Sequence, residues 1–176
     1  MLFAELVSTS TQVSSVRSRL QKLDKLAALL AQARGDDIDI AVAFLSGHPR
    51  QGRLGVGPSV LKTLKPNVSS QVAQLSLAQI DEALEALTQI KGKGSSQRRK
   101  THLIDLLEAA TPPEQDFLKR LLIGELRQGA LAKLLLEAVA RAAQVEPNKL
   151  RRSVMVAGEL AEPTRAILEE GEQGLV

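Results

Sequence analysis

An eight-residue pattern that occurs twice constrains this chain more than any other feature. Gly47-His48-Pro49-Arg50-Gln51-Gly52-Arg53-Leu54 and Gly124-Glu125-Leu126-Arg127-Gln128-Gly129-Ala130-Leu131 both read G-x-x-R-Q-G-x-L. The second copy lies 77 residues after the first, and the same offset aligns what precedes each. Leu26, Leu29, Leu30 and Ala33 fall on Leu103, Leu106, Leu107 and Ala110, while Asp39 falls on Asp116 and Leu45 on Leu122. From Leu26 to Leu54, 11 of 29 positions are identical without a gap, against about three expected from composition alone in Leu- and Ala-rich helices. The loop identities are Gly, Arg and Gln, which helix periodicity does not produce. Two related helical repeats are therefore expected, one over about 12–66 and the other over about 95–143.

Each copy sits where one helical pattern ends and another begins. Gly47 and Gly124 follow apolar-periodic segments, as left-handed C-terminal caps do. Gly52 and Gly129 are expected near the start of the next helix, where unpaired N–H groups and the helix dipole attract anions. Glycine leaves the backbone open to close approach, and arginine adds a forked, permanently charged donor. A single copy reads as a capping turn with a solvated arginine. Two copies sharing Arg-Gln-Gly favour anion binding, and duplex DNA offers two charged rails to match them.

The chain of 176 residues is 44% hydrophobic yet has three Phe and no Trp or Tyr. Leu and Ala must fill the core, which predicts an all-α, compact multi-helix domain. Apolar spacing predicts helices over 1–7, ending at the Ser8-Thr9-Ser10-Thr11 cluster, and over 13–34, with Leu20 on the apolar stripe. Further helices are expected over 37–46, from Pro58, and over 76–90, 97–110, 114–123, 130–143, 147–155 and 162–170. The sequence has no cysteine and no apolar run of membrane-spanning length, so a cytoplasmic location without membrane contact is expected.

Net charge is only +3, but the signs are segregated. No acid lies between Asp39 and Asp81, where Arg50, Arg53, Lys62 and Lys65 occur. None lies between Glu85 and Asp105, where Lys91, Lys93, Arg98, Arg99 and Lys100 occur. Such segregation implies a basic face on a nearly neutral body, the footprint of a nucleic-acid binder. The stretch from Lys91 through Gly92, Gly94, Ser95 and Ser96 to Lys100 reads equally as a flexible linker between repeats and as a phosphate cradle. Catalytic motifs and metal-spaced clusters are absent, and His48 and His102 stand alone. No catalytic or metal-binding residue is therefore assigned.

Four blocks carry a resemblance. They are Leu2-Phe3-Ala4 with Arg17-Ser18-Arg19-Leu20; Arg53-Leu54-Gly55-Val56-Gly57; the second G-x-x-R-Q-G-x-L copy; and Arg151-Arg152-Ser153-Val154-Met155-Val156-Ala157-Gly158-Glu159-Leu160. Together they resemble the N-terminal all-helical DNA-binding domain of bacterial-type ATP-dependent DNA ligases. The resemblance implies a domain over 1–170 that lies across the minor groove and grips the backbone on both sides of a nick, in repair, replication or recombination. It implies DNA-facing positions at Gly52, Arg53, Gly55 and Gly57, at Gly124, Arg127 and Gly129, and at Ser95, Ser96, Arg99 and Lys100. Lys93 and Arg98 join them from the charge pattern, and Arg50 from the internal repeat alone.

Residues 171–176 read as the start of a linker to an absent catalytic domain. The implied partners are duplex DNA, nicked in particular, and the adenylation and OB domains of the same parent chain, in a bacterial, nucleoid-associated setting. This chain itself is expected to need no cofactor, whereas the parent would use ATP and Mg. Ligases form a lysyl-adenylate on K-x-D-G, which does not occur here: Lys22-Leu23-Asp24 is followed by Lys25. The chain is accordingly expected not to be an enzyme. Two alternatives stay open: a helical protein-interaction module with a basic face, and an accessory subunit whose basic loops hold nucleotide phosphates.

Overall fold

The computed structural model describes residues 1–126 and 129–175. In chain order the helices are α1 (Phe3–Ser15), α2 (Arg19–Leu30), α3 (Asp36–Leu45), α4 (Pro58–Thr63) and α5 (Leu77–Gln89). They continue as α6 (Ser95–Ala109), α7 (Pro112–Ile123), α8 (Gly129–Ala142), α9 (Pro147–Ala157) and α10 (Ala161–Glu170), with a 3-10 turn at Gly171–Gly174. Among the described residues the only β-type pairing is an isolated antiparallel bridge between Leu2 and Ser76. The fold is all-α.

The hydrophobic centre is built around α3, which buries Ile38 and every residue from Ile40 to Leu45. A helix apolar on all sides belongs in the interior, and α1, α5, α8 and α10 pack around it. The three phenylalanines of the chain meet at one point. Phe3 of α1 stands edge-on to Phe44 of α3 at 6.2 Å and to Phe117 of α7 at 5.6 Å, the geometry that aromatic quadrupoles favour. Leucine fills most of the rest, with alanine, valine and isoleucine between.

Local chemistry explains the helix ends. Ser76 caps α5 in a capping box with Gln79, and Pro112 opens α7 at a position where a missing N–H costs nothing. Two predicted boundaries differ. The Ser8–Thr11 cluster does not end α1: Thr11 Oγ1 donates to Val7 O at 3.0 Å and Ser14 Oγ to Ser10 O at 3.0 Å, so the hydroxyls bond back along a continuing helix. The predicted helix over 13–34 is broken instead at Val16, where the backbone becomes extended, and Ser18 caps α2 by accepting from Gln21 N. The break turns Leu20 outward, leaving it 58% exposed.

The 77-residue offset carries α2 and α3 onto 96–107 and 113–122, within the bounds of α6 and α7. Beyond the loops the correspondence stops. After Gly52 the chain runs irregularly to Pro58 and the six-residue α4, whereas Gly129 is itself the first residue of α8. The two stretches are not separate bodies either, since α2 packs most extensively on α8. Arg19–Glu137 and Arg141–Asp24 ion pairs, each 2.6 Å, flank that contact. At the C-terminal end Gly171–Gly174 of the expected linker form a 3-10 turn, tied to α9 by a 2.9 Å Lys149–Glu172 pair.

Candidate nucleic-acid interface

Both Gly-Arg-Gln-Gly loops start from the same cap. Gly47 (φ 88°) and Gly124 (φ 76°) are left-handed. In the first loop Gly47 N donates to Phe44 O at 3.0 Å and His48 N to Ala43 O at 3.1 Å; in the second, Gly124 N donates to Leu121 O at 3.2 Å and Glu125 N to Arg120 O at 2.9 Å. The pairing satisfies the last helix carbonyls and turns the chain sharply. Arg127 and Gln128 lie outside the described residues.

Past its cap the first loop presents backbone to the outside. Gly52 N closes a turn on Pro49 O at 3.0 Å, and Gly52 (φ 73°) and Gly55 (φ 68°) are both left-handed. Leu54 and Val56 are buried, anchoring the segment, while Gly52, Arg53 and Gly55 face outward. A Cβ added at Gly52 would meet nothing within 4 Å, so the space over this backbone is open. Gly52, Arg53, Gly55 and Gly57 line a cleft of about 420 Å³ together with Ile123 and Gly124 at the end of α7. The first loop thus lies against the C-terminal end of α7, where Gly124 opens the second copy of the pattern.

The basic stretch before α6 joins the same region. It is no long linker: Gly92 and Gly94 are left-handed, Ser95 N donates to Gly92 O at 3.1 Å, and α6 begins at once with Ser95. Ser95 and Ser96 make no side-chain cap bond, that position being taken by Gly94. Arg99 reaches across to the first loop, where its Nη2 donates to Leu54 O and its Nη1 to Leu87 O at 3.0 Å. Arg98 stays exposed and folds back along its own segment, donating to Lys91 O at 2.7 Å.

Arg50 differs most from its expected role. Its guanidinium forks onto the Asp81 carboxylate through Nη2 and through Nε at 3.1 Å, and Gln51 Nε2 joins at 3.1 Å. The hydrogen bonds to Asp81 raise the Arg50 pKa further above its ordinary value, so the cation is permanent but internally engaged. The side chains of Arg53, Lys93 and Lys100, by contrast, have no hydrogen-bond or ion-pair partner among the described residues. Sequence reasoning missed Asp81, which is 6% exposed on α5. The available signal was an acid adjoining the apolar stripe Leu77, Ile80, Leu84 and Leu87, a position that calls for a cationic partner.

Among the described residues no group of three or more His, Asp and Glu side chains is arranged to hold a metal ion. No helix among them is long and apolar enough to cross a membrane.

Residues 59–140 match the protein family described as DNA ligase N terminus. Across 175 residues, 99% of its length, the chain is 45% identical to a probable DNA ligase of Saccharopolyspora erythraea, covering 34% of that protein. It is 44% identical to one from Sorangium cellulosum and 45% identical to one from Nocardia farcinica, with 99% of this chain and 33% of each relative covered. The chain spans about a third of the length of the curated relatives it matches. These matches overturn the expectation that the chain is not an enzyme: the proteins it aligns with are named as enzymes. That expectation rested on a missing K-x-D-G motif, which speaks only of the third that is aligned.

Proposed function

We propose that this chain, which matches the DNA ligase N terminus family over residues 59–140 and a probable DNA ligase of Saccharopolyspora erythraea over 99% of its own length, is the DNA-gripping part of such an enzyme. It binds duplex DNA, nicked duplex included, through minor-groove phosphates and without sequence preference, in repair or replication. The observation that carries this reading is the cleft between the first glycine loop and the end of α7 at Gly124. Gly52, left-handed and with open space where a side chain would project, lets a phosphate reach backbone N–H groups. Arg53, Lys93 and Lys100 supply cations that no internal carboxylate neutralises, with Arg127 as the counterpart in the second loop. Contacts of this type position a duplex and do not read its bases.

We place the adenylation and OB domains, with ATP and Mg, in the remaining two thirds of such a protein. An exposed apolar pair on α9, Met155 and Val156, favours a second use of the molecule as a protein-interaction module. That pair does not line the cleft.

Fluorescence anisotropy of labelled nicked and intact duplexes, titrated at several salt concentrations, tests the reading. Binding with a log–log salt slope of about −0.9 for each neutralised phosphate is expected, and Arg53→Ala should make that slope shallower by roughly one. A folded protein that binds neither duplex at low salt would remove it.

A further inference from the structure

The first glycine loop is pinned on both sides of its exposed tip. On one side Asp81, buried on α5, receives two nitrogens of Arg50 and the amide of Gln51; Gln51 Nε2 also lies 3.3 Å from Asp81 O. On the other, the guanidinium of Arg99 ties Leu54 O to Leu87 O, in the last turn of α5. Residues 50, 51 and 54 are thereby fixed to α5. Gly52 and Arg53 hang between the pins, with no side-chain partner among the described residues and open space above the glycine.

We propose that Asp81 and Arg99 are positioning residues that hold this loop in its DNA-binding shape, with Arg50 and Gln51 as its internal struts. The inference rests on the DNA-gripping reading above. A loop already fixed in its bound form spares the ordering cost that binding otherwise incurs. Arginine is well suited to such a brace, because a guanidinium fork holds two acceptors in fixed directions and a lysine ammonium does not. A bare carboxylate this close to a phosphate site would repel DNA. Paired with Arg50 it shapes the loop at no net charge.

Asp81→Asn separates this brace from simple electrostatics, because the two demand opposite signs. The substitution raises net charge by one and releases Arg50. If Arg50 is a phosphate contact held in reserve, the variant binds DNA more tightly and with a steeper salt slope. If the pair is a brace, the variant binds about five- to tenfold more weakly, its slope is unchanged, and the amides of Gly52 to Gly55 exchange hydrogen faster. Tighter or unchanged binding overturns the inference. Arg50→Lys carries the same test with a smaller disturbance to folding: it keeps the charge and removes the fork, so weaker binding supports the brace and full affinity refutes it.

Arg99→Lys should behave like Arg50→Lys, and retained affinity there removes Arg99 from the brace. Wild-type protein is measured alongside. Should wild type bind no duplex while folded, the DNA-gripping reading falls and takes the brace with it. Wild-type binding weakened by Arg53→Ala but untouched by Asp81→Asn and Arg50→Lys sinks the brace alone.

Discussion

Gly52 combines a left-handed backbone with empty space where a side chain would project. Asparagine tolerates that conformation better than other side chains, so Gly52→Asn separates turn geometry from access to the backbone. It should lower stability by no more than about 1 kcal/mol while weakening DNA binding severalfold. Normal affinity would make Gly52 a turn residue only. Arg50 and Arg53 show how little a residue type says by itself. Three positions apart in one loop, the first is turned onto Asp81 and the second stands free of internal partners among the described residues. For Arg127, outside the described residues, the expectation derives from the repeat and the family resemblance. Arg127→Ala should weaken binding equally on unrelated DNA sequences and flatten the salt slope by roughly one. Sequence-dependent losses, or none, would contradict a phosphate contact.

Between elements, the junction of α1 and α2 turns on a single hydroxyl. Ser18 accepts from Gln21 N at the start of α2, and Ser18→Ala should cost about 1 kcal/mol, lowering the melting temperature by roughly 2–4 °C without altering DNA affinity. An unchanged melting temperature would show that packing alone sets the break. The long apolar stripes of α5, α7 and α8 were legible in sequence because buried leucines recur at helical spacing. The break at Val16 was not, since the stripe continues through it and only Ser18 marks the restart. Nor does sequence separate a hydroxyl cluster that caps a helix from one that bonds back along it, as in α1. The left-handed caps at Gly47 and Gly124 were readable from glycine placement. The cleft between the first loop and the end of α7, and the Asp81 pairing, depend on tertiary packing and left only an acid beside an apolar stripe as a trace.

For the molecule as a whole, the packing of α2 on α8 ties the two repeated stretches together. Urea unfolding followed by far-ultraviolet circular dichroism should therefore be one cooperative transition, coincident with that seen by any second probe. Two resolved transitions would mean that the repeats fold as separate units. Phe3→Ala, at the junction of α1, α3 and α7, should shift that transition by about 3–5 kcal/mol. The same junction has an optical consequence. With no tryptophan or tyrosine in the chain, the near-ultraviolet dichroism of the protein comes from three phenylalanines, and all three sit in one cluster. Every aromatic signal thus reports on one spot in the core. Loop variants can be checked for an intact interior by a band that the altered residues do not themselves produce, and fluorescent base analogues in bound DNA are read without intrinsic tryptophan or tyrosine emission.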